Sequence, residues 1–338
     1  MNILVTGAAG FIGRALVARL LSSGVLPGLG DARRQVVLLD REFSAPATDA
    51  RVRQVAGDIA DPAVLRDALK GGLDCVFHLA SIPGGAAEAQ FELGLRVNLD
   101  ATVRLLEQLR LQTTPAKVVF ASTIGVYGVP LPEVIDENTL PAPTMSYGAH
   151  KLVGELLIAD YSRRGFIDGR SLRLPGIVAR PPQASGMLSA FMSDLIRVLS
   201  AGGSFDCPVS REGKAWWMSR TCVVENLLHA ASLDSARVQN KRVWLLPVLH
   251  ASLGDVVAAI ARVHGEAVLE RVTYHHNAAL QAQFANLPPL SCPESVEAGF
   301  RTDGTLEILV QRALDGLAHR SSGLAHGFSG LAHGSSGS

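Results

Sequence analysis

Short runs of consecutive apolar residues alternate, through the first half of the chain, with stretches whose apolar residues recur every three to four positions. The runs fall at about 2–6, 35–40, 52–56, 75–79, 117–121 and 171–174. The periodic stretches fall at about 11–23, 62–69, 91–111 and 147–164. Unbroken apolar runs of this length predict strands buried on both faces, and the 3.6-residue period predicts helices with one side on a core. Strand and helix in alternation predict an α/β fold, a doubly wound parallel sheet with helices on both faces. After Pro175 the alternation breaks, punctuated by Pro181, Pro182, Gly202, Gly203 and Pro208. Residues 175–213 with 246–317 therefore read as a smaller C-terminal substrate-binding lobe. Residues 1–174 with 214–245 read as the cofactor-binding domain, the chain returning to the sheet through a strand over 242–246. At the end, Gly-Leu-Ala-His recurs at 316–319, 323–326 and 330–333 among Gly and Ser. Glycine at this density cannot sustain a helix, so 318–338 reads as a disordered tail.

Two clusters carry chemistry. The first run ends in Thr6-Gly7-Ala8-Ala9-Gly10-Phe11-Ile12-Gly13, glycines at 7, 10 and 13 between a strand and a helix start. Such a turn lets backbone approach a pyrophosphate and delivers it to a helix N-terminus, so Gly7, Gly10, Phe11, Ile12 and Gly13 are candidate dinucleotide contacts. The second run ends at Asp40, a carboxylate placed to accept from an adenosine ribose and to repel a 2′-phosphate. That favours NAD, while Arg41 beside it leaves room for some NADP use. The second cluster is Tyr147-Gly148-Ala149-His150-Lys151, opening a periodic helix. Residues four apart share a helix face, so phenol and ammonium stand together, and the lysine, with an oxidised and positive nicotinamide nearby, is expected to lower the phenol's pKa. A phenolate there could take a proton from an alcohol.

With these motifs the chain resembles the extended short-chain dehydrogenase/reductase family, the branch of NAD-dependent sugar-nucleotide epimerases and dehydratases, over about residues 1–317. Further motifs follow in the family's order: Gly57-Asp58-Ile59, His78-Leu79-Ala80-Ser81, Asn98-Leu99-Asp100-Ala101-Thr102 and Ala121-Ser122-Thr123-Ile124-Gly125-Val126-Tyr127-Gly128. The resemblance implies a Rossmann-like sheet with NAD on its carboxyl edge. It implies adenine contacts from Asp58 and Ile59, further cofactor contacts from Leu79, Ala80, Asn98 and Pro175, and a support role for Asn98. It implies catalysis by Tyr147 and Lys151 with Thr123 on the reacting oxygen, Ser122 as its deputy. It also implies a homodimer, the helices over 91–111 and 147–164 pairing across a two-fold axis. Both carry apolar residues on more than one side.

Composition narrows the class. Charges cancel at 31 basic and 31 acidic residues with no basic block, so nothing invites nucleic acid. No apolar run approaches a membrane span, no secretory signal is apparent, and the four cysteines lack paired spacing. The expectation is a cytoplasmic enzyme without metal. Sugar-nucleotide members usually show Arg-x-x-Asn-Val-Tyr-Gly-Pro after the sixth strand, whereas this chain has Arg173-Leu174-Pro175-Gly176-Ile177-Val178-Ala179-Arg180. The stretch 146–175 resembles the D-erythronate dehydrogenase subfamily instead, which implies NAD-dependent oxidation of a small sugar acid at C2. Nucleotide-sugar 4-epimerisation is the alternative. Candidate substrate contacts are Ser81, Ser122, Thr123, Tyr147, Arg211 and Trp217. Arg211 could grip a carboxylate with both guanidinium arms, or be a solvated arginine in a Ser-Arg-Glu-Gly-Lys turn. Trp217 could cap a small pocket.

Overall fold

The computed structural model describes residues 1–22, 35–182, 189–236, 238 and 241–318. The tail expectation for 318–338 falls, beyond its first residue, outside the described residues. In chain order β1 (Asn2–Thr6), α1 (Phe11–Leu21), β2 (Gln35–Asp40), β3 (Val52–Ala56), α2 (Pro62–Ala68), β4 (Cys75–His78), α3 (Gly84–Ala89), α4 (Phe91–Leu95), α5 (Ala101–Arg110), β5 (Lys117–Thr123), β6 (Ile135–Asp136), α6 (Ser146–Arg163) and β7 (Asp168–Leu174) come first. Then follow β8 (Ile177–Val178), α7 (Ala190–Ser200), β9 (Phe205–Cys207), β10 (Lys214–Ser219), α8 (Arg220–Ser232), β11 (Val243–Leu245), β12 (Leu249–Ser252) and α9 (Leu253–His264). The last elements are β13 (Val272–Tyr274), α10 (Ala278–Phe284), β14 (Leu290–Ser291), α11 (Pro293–Glu297) and α12 (Leu306–Ala318).

Seven strands form one parallel sheet in the order β3-β2-β1-β4-β5-β7-β11. Successive residues of a strand point to opposite faces, and both faces here are covered. Ile3, Val5 and Phe77 pack with Leu16 and Leu20 of α1 and Val223 and Leu227 of α8. Leu4, Val76, Val118 and Phe120 pack on the other side with Leu65 of α2, Leu105 and Leu109 of α5 and Ile158 of α6. Two covered faces are why the strands read as continuous apolar runs. Strand order reverses between β1 and β4, which opens the ligand crevice at their carboxyl ends.

A second core lies around the small sheet β12-β10-β8, where Leu195, Trp217, Val257, Ile260 and Leu309 meet. β10 pairs with β12 and β8 rather than joining the large sheet, so the return expected at 214 begins with α8 at Arg220. The helix expected over 91–111 is interrupted. A five-residue π turn, Arg96–Asp100, separates α4 from α5. Gly84 and Gly85 open α3. Alanines and Glu88 supply helix propensity behind them, and glycine costs least in a first turn.

Candidate active site

The glycine turn is built by close approach. Gly7 adopts φ +70, and a Cβ there would stand 2.8 Å from the Ala80 backbone nitrogen. A Cβ on Gly13 would stand 2.1 Å from the Gly7 carbonyl oxygen, so only glycine lets α1 start this near the turn. The N-cap of α1, Gly10, makes no side-chain bond, so the amides of Phe11 and Ile12 face the crevice without a protein cap. Leu79 and Ala80 donate their N–H groups to Thr6 Oγ1 at 3.2 and 3.1 Å, tying the exit of β4 to the turn. Asp40 is engaged locally: Oδ2 accepts from Ala9 N and Oδ1 from Arg41 N, both at 2.8 Å. The residue expected at the ribose thus also pins the turn. Asp58 accepts from Ala60 N at 2.9 Å and pairs with Arg96. Burial opposes its ionisation, yet these donors and nearby Arg41 leave its pKa below the usual carboxylate value. Ile59, expected on the adenine ring, is 6% exposed and packs inside the core of its own face.

The catalytic residues come from β5 and α6. Thr123 ends β5 directly opposite Leu174, the last residue of β7, and Pro175 follows at the same edge. Gly148 lets α6 begin against the turn after β5, since a Cβ there would be 2.4 Å from the Gly125 carbonyl oxygen. This contact sets Tyr147 beside Thr123. In the protein alone the Tyr147 phenol is shifted upward. Burial raises it, outweighing the opposing pull of Arg180 and of hydrogen bonds from Ser81 and Thr123. Lys151 is 1% exposed, its ammonium 4.7 Å above the Phe120 ring and 5.8 Å from the Tyr147 ring centroid. Burial drives its pKa down to about 7, against the attraction of Glu155 one turn on. No described residue accepts a hydrogen bond from that ammonium, an orphaned donor that fits a cofactor's ribose hydroxyls.

Ser122 and Thr123 part company. Ser122 is 2% exposed and donates to Glu155, whose carboxylate is held by the Arg173 guanidinium at 2.7 Å, and Arg173 also donates to the Tyr127 hydroxyl at 2.8 Å. Ser122 is therefore engaged in a buried network with Glu155, Arg173 and Tyr127. Asn98 sits in the π turn and holds the loop after β4. Its side chain accepts from Ile82 N at 2.7 Å and from the Ser81 hydroxyl at 3.1 Å, and donates to Ile82 O at 3.0 Å. It thereby fixes Ser81 and the backbone that follows β4. Trp217, expected as a pocket cap, is fully enclosed in the second core, and its indole N–H goes to Ala251 O at 3.1 Å. Arg211 is exposed and crowds Gly254 at the start of α9. The fold thus gathers Ser81, Thr123, Tyr147 and Lys151, and leaves Ser122, Arg211 and Trp217 out. It adds Glu155 and Arg180, which the sequence reading passed over. Glu155 stands four residues beyond Lys151, on the same helix face.

The NAD dependent epimerase/dehydratase family matches residues 3–219. The chain is 41% identical over 323 residues to D-erythronate dehydrogenase of Cupriavidus necator, covering 94% of this chain and 100% of the relative. It is 31% identical to D-erythronate dehydrogenase of Haemophilus influenzae, covering 93% and 99%. Among solved structures, the nucleoside-diphosphate-sugar epimerase of Agrobacterium tumefaciens superposes with a TM-score of 0.85 at 33% identity, covering 93% and 94%. With a turn shaped for a dinucleotide and a Thr-Tyr-Lys cluster at the carboxyl end of β5 and the start of α6, the chain belongs to the NAD dependent epimerase/dehydratase family.

Proposed function

We propose that this protein is an NAD-dependent dehydrogenase that oxidises the C2 hydroxyl of a small sugar acid of the D-erythronate type to the 2-oxo acid. The observation that carries the reading is its 41% identity across the full length of a D-erythronate dehydrogenase, with Thr123, Tyr147 and Lys151 assembled in one site. The cofactor residues are Gly7, Gly10, Phe11, Ile12 and Gly13 at the diphosphate, Asp40 and Asp58 at the adenosine end, and Lys151 at the nicotinamide ribose. When bound, NAD supplies the acceptor for the C2 hydride. The chain's own residues handle the proton. Thr123 and Ser81 hold the reacting oxygen, and Tyr147 takes its hydrogen as the carbonyl forms. Lys151 favours the ionised phenol once its ammonium is engaged.

The enzyme is proposed to work in the cytoplasm as a homodimer. Val153 and Leu156 stand exposed on α6 and Phe91 on α4, an apolar strip a second copy would cover. The Agrobacterium neighbour keeps nucleotide-sugar epimerisation as a second reading. Absorbance of NADH during incubation with C4 to C6 aldonates, beside a UDP-sugar control, separates the two. Net NADH with D-erythronate is the expected result. Turnover of the nucleotide sugar without net NADH would replace this reading with the epimerase.

A further inference from the structure

We propose that Arg180 is the residue that binds the substrate's carboxylate, and so selects 2-hydroxy acids over neutral polyols. The inference rests on the sugar-acid reading above. Arg180 lies two residues beyond β8, and β8 is fixed by pairing with Met218 and Ser219 of β10. That pairing places Arg180 at the carboxyl edge of the large sheet, where the second core meets it. Its guanidinium carbon sits 5.5 Å from the centroid of the Phe11 ring, on the first residue of α1. On its other side it is near enough to Tyr147 to pull the phenol toward ionisation, and Tyr147 in turn favours its charge. The side chain is thus bracketed by the start of the dinucleotide turn and the proton acceptor, the space a small substrate must enter.

Its hydrogen bonding is unfinished. Nε donates to Ile177 O at 3.4 Å, and among the described residues no carboxylate pairs with it and no acceptor takes its terminal N–H groups. Arg173, Arg170 and Arg242, by contrast, are all held in ion pairs. A half-buried guanidinium with two free arms is a poor core residue and a good partner for a carboxylate, which it can hold with two parallel bonds. The acid fits on charge as well. A neutral polyol would leave the cation facing a polar but uncharged end, whereas a carboxylate on the carbon next to the reacting one neutralises it. A carboxylate held there sets C2 beside Tyr147, since the two groups are one bond apart in the substrate.

The test compares Arg180→Met and Arg180→Lys with the parent, using D-erythronate, erythritol (the same carbon skeleton without the carboxylate) and oxalate. Oxalate is a dianion that cannot lose a hydride, and its binding to the enzyme–NADH complex is read by NADH fluorescence. Arg180→Met should raise KM for D-erythronate on the order of 30- to 1000-fold, collapse the preference over erythritol and abolish oxalate binding. Its Kd for NADH should stay within about threefold. Arg180→Lys should retain part of the preference, because it keeps the charge and loses the fork. An unchanged KM with unchanged oxalate binding overturns the proposal. Loss of NADH affinity with KM for the acid intact overturns it too, and assigns Arg180 to the cofactor's diphosphate. Should the parent oxidise no aldonate, the substrate reading fails by itself. Oxalate then decides Arg180: binding by the parent that Arg180→Met loses supports the role, and equal binding or none in the parent overturns it.

Discussion

Gly148→Ala isolates the contact that aligns the catalytic pair. An added Cβ would lie 2.4 Å from the Gly125 carbonyl oxygen and 3.0 Å from Pro143 Cβ, where ordinary contact begins at 3.4 Å. The obstacle is backbone on one side and a rigid ring on the other, so neither can rotate away. The start of α6 and the turn after β5 must part by about 1 Å. Helix propensity works the other way, since alanine is favoured over glycine by about 1 kcal/mol within a helix. Overpacking of this kind costs about 1–3 kcal/mol, so stability should change little or fall modestly. Catalysis should not be so tolerant. A displacement of about 1 Å between Tyr147 and Thr123 costs on the order of 100-fold in kcat. The glycine turn and Asp40 lie elsewhere and only Lys151 shares the shifted helix, so NADH affinity should fall far less than kcat. Steady-state kinetics with D-erythronate, NADH fluorescence titration and a thermal melt read the three quantities. A variant with kcat within threefold of the parent would show that the Gly125–Gly148 approach does not set the geometry.

Tyr147→Phe should lower kcat by about 10²–10⁴-fold with NADH binding intact, and Lys151→Met should harm both; normal turnover by the former would mean another group takes the proton. Asp40→Ala should narrow the preference for NAD over NADP by about tenfold, the scale of one hydrogen bond to a charged group. The ratio is the readout, because Asp40 also holds Ala9 and its loss loosens both cofactors. His78 is kept neutral by burial, its pKa down to about 3, between Thr6 Oγ1 and Thr102 Oγ1 at 2.8 and 2.9 Å. The unfolded chain protonates it below about 6.5, so stability should fall as pH drops from about 6.5 toward 3, by up to about 1.4 kcal/mol per unit. Urea midpoints should show a shallower acid slope in His78→Gln; an unchanged slope would remove His78 from the account. Leu156→Asp should shift sedimentation toward monomer, and a parent that sediments as monomer at micromolar concentration refutes the dimer.

The fold was legible because its signals are local and repeated. Apolar runs marked β1 to β5 within a residue or two, and the spacing of Gly7, Gly10 and Gly13 needs only one turn to be understood. The site was legible where a motif carries its own geometry, as Tyr147 and Lys151 do on one helix face. It failed where direction depends on what lies across the fold. Ser122 and Thr123 are neighbours on a strand and so must point to opposite faces; placing Thr123 in the site sends Ser122 behind it, and alternation alone would have said so. The same rule separates Trp216 from Trp217 on β10, but which of them meets the second core depends on β12, a strand far along the chain. Arg211 and Arg180 look equally free in the sequence, and only tertiary placement leaves one on the rim and the other beside the phenol. The phenol itself is the deepest case. Neighbouring charge lowers a phenol's pKa, while in the protein alone burial acts on Tyr147 and Lys151 together, raising one and lowering the other. Each is thereby pushed toward its neutral form, so the phenol is ionised only where charge from a bound ligand offsets its burial.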